Sequence, residues 1–193
     1  MAEQRLRVVV IIGSIREGRF GPTAAEWFAS LARQRDDIEV DVIDLAQAWL
    51  PEVLPEDHGH RPKAVRDLAP WLAAADAFVV VTPEYNHSFP ASLKNAIDWF
   101  YSEWHAKPVG FVSYGGRTGG MHAVEQLRLV FTEVEAVTVR AAVSLRNYWE
   151  QLDGDGKLVG HEDLDSAART MLDRLVWWAE ALRAHRTIRP YGT

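Results

Sequence analysis

Residues 77 to 99, AFVVVTPEYNHSFPASLKNAIDW, decide the fold. The run from Ala77 to Thr82 has no polar alternation, which suits a strand covered on both faces. A polar turn follows, bracketed by Pro83 and Pro90, whose fixed φ restricts the backbone at both ends and makes a rigid shelf. Leu93, Ala96, Ile97 and Phe100 then recur at helical spacing, with Lys94 and Asp98 as an i,i+4 pair on another face. The stretch reads as buried strand, rigid polar turn and amphipathic helix.

Working outward, the same unit recurs. Leu6 to Ile12 is an apolar β-branched run, followed by the loop GSIREGRFGPT at 13 to 23, which cannot continue a strand. Pro22 suits a first helical turn, and Ala24, Ala25, Trp27, Phe28, Leu31 and Ala32 carry the helix towards Arg33. Ile38 to Ile43 is a second strand. Leu45 to Arg61 reads as irregular, with one short turn near Trp49. The pattern of Val65, Leu68, Trp71 and Leu72 predicts helix between Pro62 and Ala75, split into two short pieces by Pro70. Val109 to Ser113 makes strand four, then YGGRTGG at 114 to 120 leads to a helix through Val124, Leu127 and Phe131. Val137 to Val143 is strand five, a DGDG turn follows, and a last helix runs from Leu164 to Arg186.

Five strands alternating with helices predict an α/β domain with a parallel sheet. At 193 residues the chain reads as a single domain over 1–193, a flavodoxin-like three-layer sandwich with strand order 2-1-3-4-5. Ligands in such sheets bind beyond the carboxyl ends of the strands, at the switch point between strands 1 and 3. The loops at 13–23, 83–91 and 114–120 leave that edge.

Composition narrows the chemistry. Apolar residues make up 48% of the chain, enough for a core covering ~70% of the surface exposed by the unfolded chain. There is no Cys, so thiol redox chemistry, Fe–S clusters and zinc thiolate sites are excluded, and electron transfer would need a bound cofactor. A net charge of -6 argues against nucleic acid as a partner. The N-terminal apolar run is too short to span a bilayer, and no cleavage site follows it, so a cytoplasmic protein without membrane association is expected.

The first loop offers the hydroxyls of Ser14 and Thr23, the guanidinium of Arg16 and unpaired amides at a helix start, a set suited to phosphate; an ordinary Gly-rich turn with a solvated Arg is the competing reading. It is neither a P-loop nor GxGxxG. The third loop sets four Gly around Arg117 and Thr118, allowing backbone to approach a flat ligand, although such loops also serve as plain connectors. On the shelf, Tyr85 can wall a ring or pack on its own helix.

GSIR at 13–16, TPEYNHSFPASLKNAIDW at 82–99, and YGGRTGG followed by Leu127-Arg128 resemble the NADPH-dependent FMN reductase family of the flavodoxin-like superfamily, which includes FMN, quinone, azo-dye and chromate reductases. The match runs in order from Val8 to about Val143. Ile15 stands where Thr is frequent and Ala91 where Gly is often found. The resemblance implies that Ser14 and Arg16, with the turn through Phe20, Pro22 and Thr23, bind the FMN phosphate. Pro83, Glu84, Tyr85 and Asn86 would border the isoalloxazine, with Ser113, Gly115 and Gly116 on its other edge. Arg117 is a weaker candidate for contacting NADPH or NADH. It further implies hydride transfer from nicotinamide to FMN and on to a small-molecule acceptor by ping-pong kinetics, with no catalytic acid or base needed for the first transfer. Related proteins form dimers or tetramers, a role that exposed Trp99, Phe100, Tyr101 and Trp104 would suit.

The competing class is a flavodoxin-type FMN electron carrier that does not oxidise NAD(P)H. Other signals carry less. His58 and His60 sit in a Pro-containing loop without a supporting carboxylate helix, so no metal is assigned. DGDGK at 153–157 lacks the glycine and ligands of a calcium loop. Ser113 lacks the sharp elbow of a hydrolase nucleophile, since Phe111 stands where Gly is needed.

Overall fold

The computed structural model describes residues 5–55, 61–159 and 162–192; the EDHGH patch with His58 and His60 lies outside them. Five parallel strands form one sheet: β1 (Leu6–Ile12), β2 (Ile38–Asp44), β3 (Ala77–Pro83), β4 (Pro108–Gly115) and β5 (Val137–Arg146). Their order is β2-β1-β3-β4-β5, as the alternation of elements predicts. Every residue of β3 is buried, so the unbroken apolar run reflects cover on both faces.

Helices α1 (Gly21–Ala32) and α6 (Glu162–Ile188) cover one face, and α3 (Lys63–Ala74), α4 (Ala91–Trp99) and α5 (Met121–Glu133) the other; α2 (Leu45–Ala48) is a single turn after β2. Strand alternation divides the core. Val8, Val10, Val79 and Val81 pack with Phe28, Met171 and Leu175, while Val9, Ile11, Phe78 and Val80 pack with Leu72, Ile97, Leu127 and Phe131. Each such side chain contributes about 1.5–3 kcal/mol on burial.

Two expectations are corrected. The helix at 63–74 is continuous through Pro70. Pro70 lies on the exposed face, so its ring faces solvent, while Val65 and Leu72 are buried on either side and hold both halves against the core. The second concerns the aromatic cluster after α4. Trp99, Phe100 and Trp104 are 8%, 0% and 1% exposed, and only Tyr101 is exposed. The chain folds back after α4 and inserts Trp104 edge-on to Phe78 and Phe131, with ring centroids 4.7 and 5.6 Å away. The Trp99 indole donates to the Pro51 carbonyl at 2.8 Å. These three side chains build core and cannot pair subunits.

The β4–β5 ladder shifts register between Val109 and Phe111. Arg128 on α5 meets the disturbed stretch, donating to the carbonyls of Val139 (2.7 Å) and Arg140 (3.0 Å), with its guanidinium 5.2 Å from the Phe111 ring centre. The Leu127-Arg128 pair is thus a structural device: Leu127 fills the core and Arg128 satisfies carbonyls that the shift removes from the ladder.

Candidate active site

The three loops meet at the β1/β3 switch point. The loop after β1 reaches α1, which starts at Gly21 without a side-chain cap. The Ser14 side chain is fully buried, and its hydroxyl lies 2.7 Å from that of Tyr85 and accepts from the Arg16 amide at 3.4 Å. Ser92 of α4 donates to the Gly13 carbonyl at 2.6 Å. The loop after β1 is therefore fastened to the shelf through Ser14 and to α4 through the Gly13 carbonyl.

The shelf is a miniature hairpin. Tyr85 and Ser88 exchange backbone hydrogen bonds of 2.8 and 3.0 Å, and Asn86 and His87 between them have φ of 49° and 68°. Two left-handed central residues make a mirror-image tight turn, where Asn is favoured first and Gly second. The Glu84 amide donates to the Tyr114 carbonyl at 3.1 Å, joining this loop to β4. One Glu84 carboxylate oxygen accepts from Thr118 (3.1 Å) and the His122 amide (3.2 Å); the other lies 3.0 Å from His122 Nδ1. Burial alone would raise this carboxyl's pKa, but the bonds from His122 and Thr118 outweigh it and hold the pKa below the ordinary value.

The third loop is drawn inward. Ser113 is buried and donates to the Gly119 carbonyl at 2.7 Å. Gly120, at φ 88°, could not carry a side chain, since a Cβ there would lie 2.6 Å from Ser113 Cβ. The fold leaves a cleft of about 430 Å³ walled by Arg16, Arg19, Phe20, Pro83, Glu84, Tyr85, Tyr114, Gly115, Gly116, Tyr148 and Trp149. Two wider hollows, of about 620 and 770 Å³, lie along β2 and α3 and between α2 and α4. The smaller cleft is the better candidate, because polar groups without partners converge there and side chains are missing where a flat ligand would lie.

Of the predicted residues, Arg16, Phe20, Pro83, Glu84, Tyr85, Gly115 and Gly116 line this cleft; Ser14, Pro22, Thr23, Asn86, Ser113 and Arg117 lie outside its lining. Arg19, Tyr114, Tyr148 and Trp149 are additional. Arg19 pairs with Asp44 through Nη2, while its buried Nε has no partner among the described residues. The buried Tyr114 hydroxyl faces the Gly21 amide, and its own proton has no acceptor among the described residues. Burial, with Tyr85 and Tyr148 nearby, pushes its pKa up, so it stays a donor. Tyr148 stacks on Phe20 with centroids 4.2 Å apart and planes at 17°. Arg19 was open to the sequence, standing one turn beyond Arg16 in the same loop. Tyr148 and Trp149 carried no signal, because only the path of the chain after β5 brings them to the site.

This donor set fits FMN. An uncapped helix start, Arg16, the free Arg19 Nε and the Tyr114 hydroxyl suit a phosphate at one end. Tyr85, Gly115 and Gly116 leave a flat slot at the other.

The sequence pattern of the family described as NADPH-dependent FMN reductase matches residues 6–150. A 2-hydroxy-1,4-benzoquinone reductase of Burkholderia sp is 30% identical over 185 residues, covering 92% of this chain and 98% of that protein. An NAD(P)H-dependent FMN reductase of Schizosaccharomyces pombe is 36% identical over 122 residues, which span 59% of this chain and 60% of that protein. Among solved structures, the flavoenzyme NAD(P)H:(acceptor) oxidoreductase of Paracoccus denitrificans superposes with a TM-score of 0.76 at 25% identity, covering 91% of this chain and 98% of that one. The chain belongs to the NADPH-dependent FMN reductase family, a family of oxidoreductases with the flavodoxin-like fold that use FMN as cofactor and NAD(P)H as co-substrate.

Proposed function

We propose that the cleft at the switch point holds FMN and that the chain oxidises NAD(P)H and reduces a small acceptor by a ping-pong sequence. The observation that carries this reading is the meeting of Arg16, the unpartnered Arg19 Nε and the Tyr114 hydroxyl at the start of α1, beside the slot between Tyr85 and Gly115-Gly116. The two arginines and the helix start hold the phosphate. The hydrogen bond between Ser14 and Tyr85 keeps the phosphate loop and the ring shelf in register. Gly115 and Gly116 leave room for a ring to lie against backbone. FMN, when bound, supplies the two-electron chemistry between nicotinamide and acceptor. The chain's task is to orient the two partners in turn and to release the first before the second enters.

The acceptor class is flat and small: free flavin, a quinone, an azo compound or a metal oxyanion, with quinone favoured by the name of the Burkholderia relative. Arg117, exposed at the rim, is the candidate contact for the nicotinamide dinucleotide. The whole chain acts as one domain in the cytoplasm, as a dimer or tetramer, without nucleic-acid or membrane partners. Steady-state rates over a grid of NADPH and benzoquinone concentrations test the sequence. Parallel double-reciprocal lines are expected; intersecting lines would contradict the ping-pong order, and no NADPH oxidation would favour a plain electron carrier.

A further inference from the structure

We propose that Glu84, His87 and His122 form a binding site for one late first-row divalent ion of the Zn²⁺ class, where the 85–88 hairpin meets the start of α5. One ligand atom from each of the three lies within 4.8 Å of the others. Glu84 Oε1 and His122 Nδ1 are 3.0 Å apart. Two ligands of one tetrahedral zinc ion, with bonds near 2.0–2.2 Å, stand roughly 3.3 Å apart, so an ion that displaces the shared proton needs this pair to open only slightly. His87 is exposed and stacks on His122 with ring centroids 3.6 Å apart at 22°. Its nitrogens make no hydrogen bond among the described residues, and one of them lies within 4.8 Å of the pair.

The surroundings support the three ligands. The second oxygen of Glu84 is fixed by Thr118 and by the His122 amide, which aims the first. The hairpin is pinned to α5 through Gln126, which donates to the His87 carbonyl at 2.7 Å and accepts from Ser88 at 2.6 Å. His87 occupies a left-handed position, φ 68°, where this turn favours glycine. Two imidazoles and one carboxylate select Zn²⁺, Cu²⁺ or Ni²⁺ over Mg²⁺ and Ca²⁺, which prefer oxygen ligands. Glu84 also lines the cleft, so the test reads metal binding directly and not through the flavin.

Co²⁺ titration of the tag-free full chain, followed by visible absorption and then displaced with Zn²⁺, tests it. One saturable site is expected, weakened at least about tenfold by His87→Ala and by His122→Gln. His87→Ala alone is decisive if His122→Gln misfolds, because the His87 side chain is exposed. The absence of a saturable band, or unchanged affinity in either folded variant, overturns the site and leaves His122 as a plain hydrogen-bond partner of Glu84.

Discussion

The hydroxyls of Ser14 and Tyr85 lie 2.7 Å apart and fasten the loop after β1 to the loop after β3. Ser14 is fully buried, so losing its partner leaves a buried hydroxyl poorly satisfied. Tyr85→Phe should cost about 1 kcal/mol, a fall in Tm of roughly 2–4 °C, and should weaken FMN binding without abolishing it. Ser14→Ala should cost about the same. The double variant should cost no more than either alone, because both remove one bond. Thermal melts of the four proteins check this, and fully additive losses would show that the two hydroxyls act separately.

Arg16 and Arg19 should separate affinity from stability. The Arg16 side chain is exposed and has no hydrogen-bond or ion partner among the described residues. Arg16→Ala should therefore leave Tm unchanged and weaken FMN by about 1.5–3 kcal/mol, the value of one charged hydrogen bond. Arg19 neutralises Asp44, whose side chain is only 13% exposed. Arg19→Met should weaken FMN and lower Tm together, since it strands a carboxylate. Fluorescence titration and melting of both variants measure the split.

Lys107 gives the fold a pH dependence. Its ammonium is buried, donates at 2.8 Å to the carbonyls of Leu72 and Ala73, and lies 5.5 Å from the Phe78 ring centre. Burial, reinforced by Arg186, lowers its pKa from 10.5 to about 8. Below pH 8 both states carry the proton and the folded state bears the full burial penalty. Between 8 and 10.5 the folded chain releases the proton while the unfolded chain keeps it, so this group's contribution to stability rises with pH. Against Lys107→Met, the wild type should gain up to about 3 kcal/mol across that window. Urea unfolding of both proteins at pH 7, 8.5 and 10 measures the difference, and a constant gap would show that Lys107 does not titrate there.

Arg128 tests the reading of the β5 irregularity. Arg128→Ala leaves the Val139 carbonyl unpaired, while the exposed Arg140 carbonyl takes water, and should cost about 1–3 kcal/mol, with the loss concentrated in amide exchange along β5. Arg128→Lys should recover only part of it, because a single ammonium cannot span both carbonyls as the planar fork does. Full recovery with Lys would show that charge alone suffices.

The sheet was legible because buried parallel strands leave unbroken β-branched runs, and the PEYN turn was legible because two prolines mark its ends. What stayed hidden depends on how the chain packs. Pro70 reads as a break, since its penalty is local, whereas Val65 and Leu72 hold the helix through burial the sequence does not display. Trp99, Phe100 and Trp104 read as a surface cluster because helical periodicity ends at α4, and nothing in the spacing shows the fold-back that buries them. Ser14 and Ser113 also brace loops, through Tyr85 and the Gly119 carbonyl, and spacing along the chain does not show those partners. Tyr148, Trp149 and the His87–His122 stack arise from juxtapositions made only by the finished sheet.

The central claim is that this chain carries FMN in the β1/β3 cleft and uses it to oxidise NAD(P)H. Anaerobic mixing of the FMN-loaded protein with NADPH, followed by benzoquinone, tests it at the flavin absorption band. One FMN per chain should bind, bleach with NADPH and recover its colour with the quinone, and Arg16→Ala should need more FMN to reach the same state. A protein that binds no FMN, or whose bound FMN stays yellow in excess NADPH, would contradict the account.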